Sequence, residues 1–165
     1  MTSMRLPSAA AALLLLSITA SQAAVIYTPT NGPTCHDHSK PEFGDWTCPG
    51  PGGYVARFTD EGNLASVSIG PGPRAKHRLA AQLRGSGKIF GDKIEWHVVG
   101  GVPKSAVLRM WYRDESETEM HALEVFLLEP GRTCSFGSID ARRPDANGLA
   151  SQRAEYAAHS DCTNK

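Results

Sequence analysis

Cys35-His36-Asp37-His38 is the run of the chain richest in metal-ligating side chains. Two imidazoles one residue apart can chelate copper or zinc, and the carboxylate between them supplies a third donor. If Cys35 is oxidised it is lost both as a ligand and as half of a thiolate–imidazole nucleophile pair. A polar exposed turn accounts for the same residues, because a working site also needs partners that orient its ligands. His36, Asp37 and His38 are the candidate metal ligands of a chain otherwise expected to use no cofactor.

A second constellation follows from strand patterning. Lys93–Val99, Ala106–Tyr112 and Met120–Leu128 each alternate apolar and polar residues. The register that keeps apolar residues together pairs Trp96 with Met110 and Leu108 with Val125. One face then carries Ile94, Trp96, Val98, Leu108, Met110, Tyr112, Leu123, Val125 and Leu127, with His121 at the rim opposite Tyr112. The other face aligns His97, Arg109 and Glu124 in a row, flanked by Val107, Trp111 and Phe126. Direct cross-strand neighbours lie about 5 Å apart, so Arg109 would reach both partners. A cation, an imidazole and a carboxylate framed by aromatics make a small binding surface. The plain alternative is a wet sheet face with an ion pair worth well under about 1 kcal/mol. His97, Arg109, Glu124 and Trp111 are the candidate ligand- or partner-binding residues.

Catalytic signatures are not found. No G-x-S-x-G elbow occurs, and Ser86 in Gly85-Ser86-Gly87 lacks a strand–turn–helix frame. The prolines of Gly70-Pro71-Gly72-Pro73 remove the amide donors that a phosphate cradle requires. Asp60-Glu61-Gly62-Asn63 lacks the spaced ligands of a calcium loop. No catalytic residue is assigned, and an envelope hydrolase without a recognisable motif stays as a lesser alternative.

The elements that must position these residues lie in one exported domain. Arg5, the apolar run Ala9–Ala20 and Ser21-Gln22-Ala23 read as a secretory signal peptide over residues 1–23. The apolar run is too short to span a bilayer, which takes about 20 residues, so no membrane span is expected after cleavage. Residues 24–165 then form a single domain, periplasmic or secreted, which keeps Cys35, Cys48, Cys134 and Cys162. An even count in an oxidising compartment reads as two disulfides. Three pairings are possible. Cys35–Cys48 with Cys134–Cys162 is favoured because each bond is local and ties down a terminal segment. The loop-entropy model values these at roughly 3 and 3.6 kcal/mol.

Residues 24–53 read as mostly irregular, because Gly and Pro crowd into Cys48-Pro49-Gly50-Pro51-Gly52-Gly53, although Val25-Ile26-Tyr27 fits a first strand. Tyr54–Thr59 and Leu64–Ile69 make a hairpin. Arg74–Leu83 has helical spacing and, with Arg84 and Lys88, holds the basic cluster. Thr133–Ile139 is a last strand. Pro144 to about His159 is a helix with a narrow alanine stripe. The expected fold class is α+β, with an antiparallel sheet of about five or six strands packed on one face by the C-terminal helix and stapled by two disulfides.

The segments Trp46-x-Cys48-Pro49-Gly50, Gly53-Tyr54-Val55, Ile94-Glu95-Trp96 and Ala106-Val107-Leu108-Arg109 recur in order in a known group. So does the stretch from Cys134 through Ile139-Asp140-Ala141 and Pro144-Asp145-Ala146-Asn147-Gly148-Leu149-Ala150 to Cys162. With these, the chain resembles a family of small exported alphaproteobacterial proteins of uncharacterised function over most of residues 30–162. The resemblance implies export, two disulfides and one domain, and transfers no site residues. Neither Cys35-His36-Asp37-His38 nor the basic stretch 74–88 belongs to it.

Lys+Arg and Asp+Glu are equal at 17 each, which disfavours a nucleic-acid partner bound by general phosphate attraction. These readings converge on a small disulfide-stapled binding or interaction module of the periplasm or envelope, with an inhibitor-like module as one form of it. It would engage a protein or small ligand as a monomer or weak dimer.

Overall fold

The structure, a computed structural model, describes residues 23–73, 79–85 and 87–162. All but the last residue of the expected signal peptide, residues 1–22, lie outside these residues, as do Arg74, Lys76, His77 and Arg78 of the basic cluster. Among the described residues ten strands form one antiparallel sheet, with a short 3-10 turn at Pro51–Gly53 and one α-helix after the last strand: β1 (Ala23–Pro29), β2 (His36–Asp37), β3 (Gly44–Pro49), β4 (Tyr54–Asp60), β5 (Leu64–Pro71), β6 (Leu79–Arg84), β7 (Phe90–Val99), β8 (Val102–Arg113), β9 (Glu119–Glu129), β10 (Arg132–Asp140) and α1 (Ala146–Ala157). The order runs β1-β7-β8-β6-β5-β4-β3-β2, and β9 pairs with both β8 and β10.

The α+β class, the C-terminal helix and both local disulfides, Cys35–Cys48 and Cys134–Cys162, are present. The strand count of five or six is too low. Trp46 and Cys48 turn inward from a Gly- and Pro-rich stretch that forms β3, because β4 pairs with it from Gly44↔Asp60 to Pro49↔Val55. Leu79–Arg84, expected as the end of a helix, is a strand paired with β5. Its six residues are too few for a helix to be stable without packing, and sheet pairing overrides the local preference.

The sheet curls, so that the inner face of β3–β6 closes on the inner face of β7–β9. Phe58 meets Phe90 at 4.9 Å between ring centroids, and Trp46 stacks on Phe58 at 5.4 Å. Trp96, Leu108, Met110 and Phe126 come from one half of this core, and Phe58, Val67 and Ile69 from the other. On the outer face, Ala146, Ala150, Ala154 and Ala157 of α1 seat on Val107, Leu123, Val125 and Ile139. The small side chains let the helix lie close, and the Ser105 hydroxyl donates to Ala154 O at 2.6 Å, fixing it there.

Two register corrections decide the site. Gly100 and Gly101, at φ 60° and 80°, make a two-residue turn of the kind that fits hairpin twist, so Val102 and Pro103 belong to β8. Trp96 therefore faces Ala106 instead of Met110, a shift that keeps every side chain on its expected side. Between β8 and β9 the shift is by one residue, which reverses faces. Leu108 faces Glu124, Arg109 faces Leu123, and Trp111 faces His121. Leu123, Val125 and Leu127 thus turn outward, the first two beneath α1, while Phe126 is fully buried in the inner core instead of flanking a wet surface. Because β9 is covered on both sides, a register chosen for one pure apolar face had no force there.

Glu124 now points to the inner face, where burial raises its carboxyl pKa against the pull of the Ser135 hydroxyl and Arg153. The folded chain therefore holds this proton to higher pH than the unfolded chain does. Stability contributed by that proton is present below the ordinary carboxyl range and lost as pH rises through the folded value. Glu124→Gln should flatten this loss. Urea unfolding midpoints for the two proteins should converge near pH 4 and favour the variant at pH 8. A variant weaker at pH 8 would show that the charge stabilises the fold.

Candidate functional site

A groove of about 370 Å³ runs between α1 and the outer face of β1, β7 and β8. Its floor comes from Gly91, Val107, Arg109 and Leu123. Tyr27, Asp92, Lys93 and Glu95 form one side, Trp111 closes an end, and Asn147 and Ala150 of α1 form the other side. Gly91 permits the close approach of β7 and β8 here, since a Cβ at that position would lie 2.9 Å from Arg109 Cβ. The register of β7 against β8 breaks between Phe90 and Ile94, and irregularities of this kind re-aim side chains at functional edges.

Glu95 is the hub of the wall. The β1–β7 register sets Tyr27 opposite Glu95 and Val25 opposite His97. The Tyr27 hydroxyl donates to Glu95 Oε2 at 3.0 Å, and His97 Nε2 lies 2.8 Å from Glu95 Oε1. Burial alone would raise the Glu95 pKa, but hydrogen bonds from His97, Ser151 and Tyr27 outweigh it and hold the carboxyl below its ordinary value. The same bond, with burial, raises the Tyr27 phenol. A carboxylate so fully engaged and held below its ordinary value is a structural anion. General-base work needs a pKa near the operating pH and an accessible lone pair.

The remaining charges are unevenly used. Lys88 takes the Asp92 carboxylate at 2.8 Å, and its ammonium sits 5.7 Å from the Trp111 ring centre. Arg109 Nη2 donates to Asn147 Oδ1 at 3.2 Å, and Lys93 Nζ lies 4.5 Å over the Tyr27 ring. Among the described residues, neither Arg109 nor Lys93 has a carboxylate partner within 4 Å. The groove thus holds two committed anions and two uncommitted cations beside an indole.

The residues expected from sequence divide accordingly. Arg109 and Trp111 line the groove. His97 lies beside it, buried and bonded to Glu95. Glu124 is on the opposite face, so the row His97–Arg109–Glu124 does not exist: His97 faces Ser105 and Arg109 faces Leu123. Tyr27, Lys93, Glu95 and Asn147 were not singled out. Tyr27 and Glu95 meet only through a pairing of strands 68 residues apart, which no local pattern signals.

The Cys35–His38 run forms the sheet's short edge. His36 faces Thr47 and Asp37 faces Trp46. The Asp37 carboxylate accepts the Ser39 N–H at 2.9 Å, and His38 Nε2 lies 3.3 Å from Thr47 Oγ1. Asp37 and His38 thus have local partners. Among the described residues, no three His, Cys, Asp or Glu side chains stand together as a metal-binding group. No helix among them is long and apolar enough to cross a membrane. No family model, curated protein or solved structure matches the chain.

Proposed function

We propose that the protein is an exported binding module that holds a small organic anion with an apolar or aromatic body in the groove beneath α1. The observation that carries this reading is the pairing imbalance. Asp92 is paired with Lys88 and the Glu95 carboxylate is taken up by hydrogen bonds from Tyr27 and His97, whereas Arg109 and Lys93 present charge to the cavity with no carboxylate in reach. Trp111, Val107 and Leu123 supply apolar contact, and a few convergent polar groups on an apolar floor are what small-ligand sites share. Export is supported by the leader pattern and by two disulfides, which persist in oxidising compartments.

Phenyl phosphate and phenylacetate, with benzyl alcohol as the uncharged control, test the reading by calorimetry. The anions should bind at least about tenfold more tightly than the alcohol. Arg109→Met and Lys93→Met should each cost about tenfold, the loss of a charge-assisted hydrogen bond of about 1.5 kcal/mol. Equal affinity for the alcohol, or anion binding that survives both substitutions together, would refute the proposal.

A further inference from the structure

Among the described residues β1, β2 and β10 each pair with one strand alone, and these edges are treated differently. β2 is two residues long and polar. β10 carries a bulge between Ser135 and Gly137, and its Thr133 hydroxyl is tied to Ile69 O of β5 at 2.7 Å. β1 has neither protection. It pairs with β7 in unbroken register from Ala23↔Val99 to Pro29↔Lys93, contains no charged residue, and exposes Val25, Ile26 and Tyr27 by 47%, 38% and 52%. Monomeric sheet proteins blunt such edges with charge, bulges or brevity, because a flat apolar edge pairs with other chains.

Backbone parity shows what the edge offers. The Thr30 N–H donates to Asp92 O at 3.1 Å in continuation of the same register, so even-numbered residues of β1 turn their backbone groups toward β7. Ala23, Val25 and Tyr27 then turn their N–H and C=O outward. Pro29 falls in this outward set, the position at which an edge strand tolerates a residue without an N–H.

This pattern is self-complementary. With a twofold axis at Ile26, Val25 of one copy exchanges both backbone hydrogen bonds with Tyr27 of the other, and the reverse pair repeats it, giving about four bonds. Val25 then packs on the second copy's Tyr27, an aromatic–β-branched pair, and Ile26 packs on its own symmetry mate. No side chain of β1 is charged, so the paired side chains meet no like-charge repulsion. The twofold contact is closed and consumes the exposed edge of both copies.

We infer that β1 is a homodimer edge, at which two copies join antiparallel through Val25, Ile26 and Tyr27 into one continuous sheet. Both grooves then open on the same side of that sheet, and Val25 of the second copy backs Tyr27, the groove's wall. The pairing does not depend on what the groove binds.

The test uses product purified after expression of the full sequence, with processing left to the host. Sedimentation equilibrium from about 5 to 500 μM should show a reversible monomer–dimer equilibrium, since a single-strand contact is small and weak. Val25→Lys should weaken it at least about tenfold with an unchanged circular dichroism spectrum. Hydrogen exchange on the unmodified protein supplies a readout independent of any variant. Raising concentration should slow exchange of the Val25 and Tyr27 amides and leave Ile26, already bonded to β7, unchanged. A monomer throughout the range overturns the inference, as does a dimer whose Val25 and Tyr27 amides gain no protection. An edge found occupied by an extended peptide from another protein would likewise overturn it.

Discussion

Trp96→Ala should lower unfolding stability by about 3–5 kcal/mol, the largest loss expected from any single side chain here. Trp96 is fully buried on the inner face of β7 and joins four parts of the chain. Its indole N–H donates to Thr28 Oγ1 at 2.8 Å, holding β1. Its ring meets Tyr54 of β4 edge-on at 6.5 Å. It faces Ala106 of β8 across the ladder. Gly50 rests directly on it, since a Cβ there would come within 2.7 Å of Cζ2, so the turn that follows Cys48 is seated on this ring. Alanine leaves a cavity that these surroundings cannot collapse into, because β7 and β8 are fixed by their own ladder. Trp96→Phe separates packing from the hydrogen bond. It keeps most of the volume and should cost about 1–2 kcal/mol, the loss of the Thr28 bond and some ring contact. Urea unfolding followed by circular dichroism checks both, and a loss below about 1 kcal/mol for Trp96→Ala would mean that the core repacks freely there.

How much of this was legible in the sequence depends on how local each relation is. The hairpin β4–β5 was legible because Asp60-Glu61-Gly62-Asn63 sits between two alternating runs, and the turn closes with Glu61 N–H donating to Leu64 O. The outward placement of Arg109 and Trp111 was legible because β8 has one clear parity, with Leu108 and Met110 inside. Glu124 was not. Leu123, Val125, Phe126, Leu127 and Leu128 are all buried, so β9 carries no alternation to fix which side Glu124, the carboxylate in its middle, faces. The groove was only half legible, for Tyr27, Glu95 and Asn147 reach it by strand pairing and helix docking between distant segments. The strand β6 was read as helical because Leu79, Ala80 and Leu83 fit that spacing, yet Leu79 is exposed and Leu83 buried, because the pairing with β5 shifts by one residue between Val67 and Ser68 and turns Leu79 to the other face.

Removing the Cys134–Cys162 bond by paired serine substitution should cost about 3.6 kcal/mol, against about 3 kcal/mol for Cys35–Cys48. The difference follows from the loops closed, with separations of 28 and 13 residues, because a longer loop loses more freedom in the unfolded chain. The two loops neither nest nor overlap, so the costs should add within about 0.5 kcal/mol in the quadruple variant. The native state should still form around the Cys134–Cys162 site, because other groups hold its end of the chain. Cys162 N–H donates to Glu129 Oε1 at 2.6 Å, Arg132 donates to Cys162 O and pairs with Glu129 at 2.8 Å, and Ser105 holds α1 through Ala154. The doubly substituted protein should therefore keep its circular dichroism spectrum and its affinity for anions in the groove while its urea midpoint falls. Lost binding at full secondary structure would overturn this separation. It would mean that the bond sets the seating of α1, and with it Asn147 and Arg109, in addition to limiting the unfolded chain.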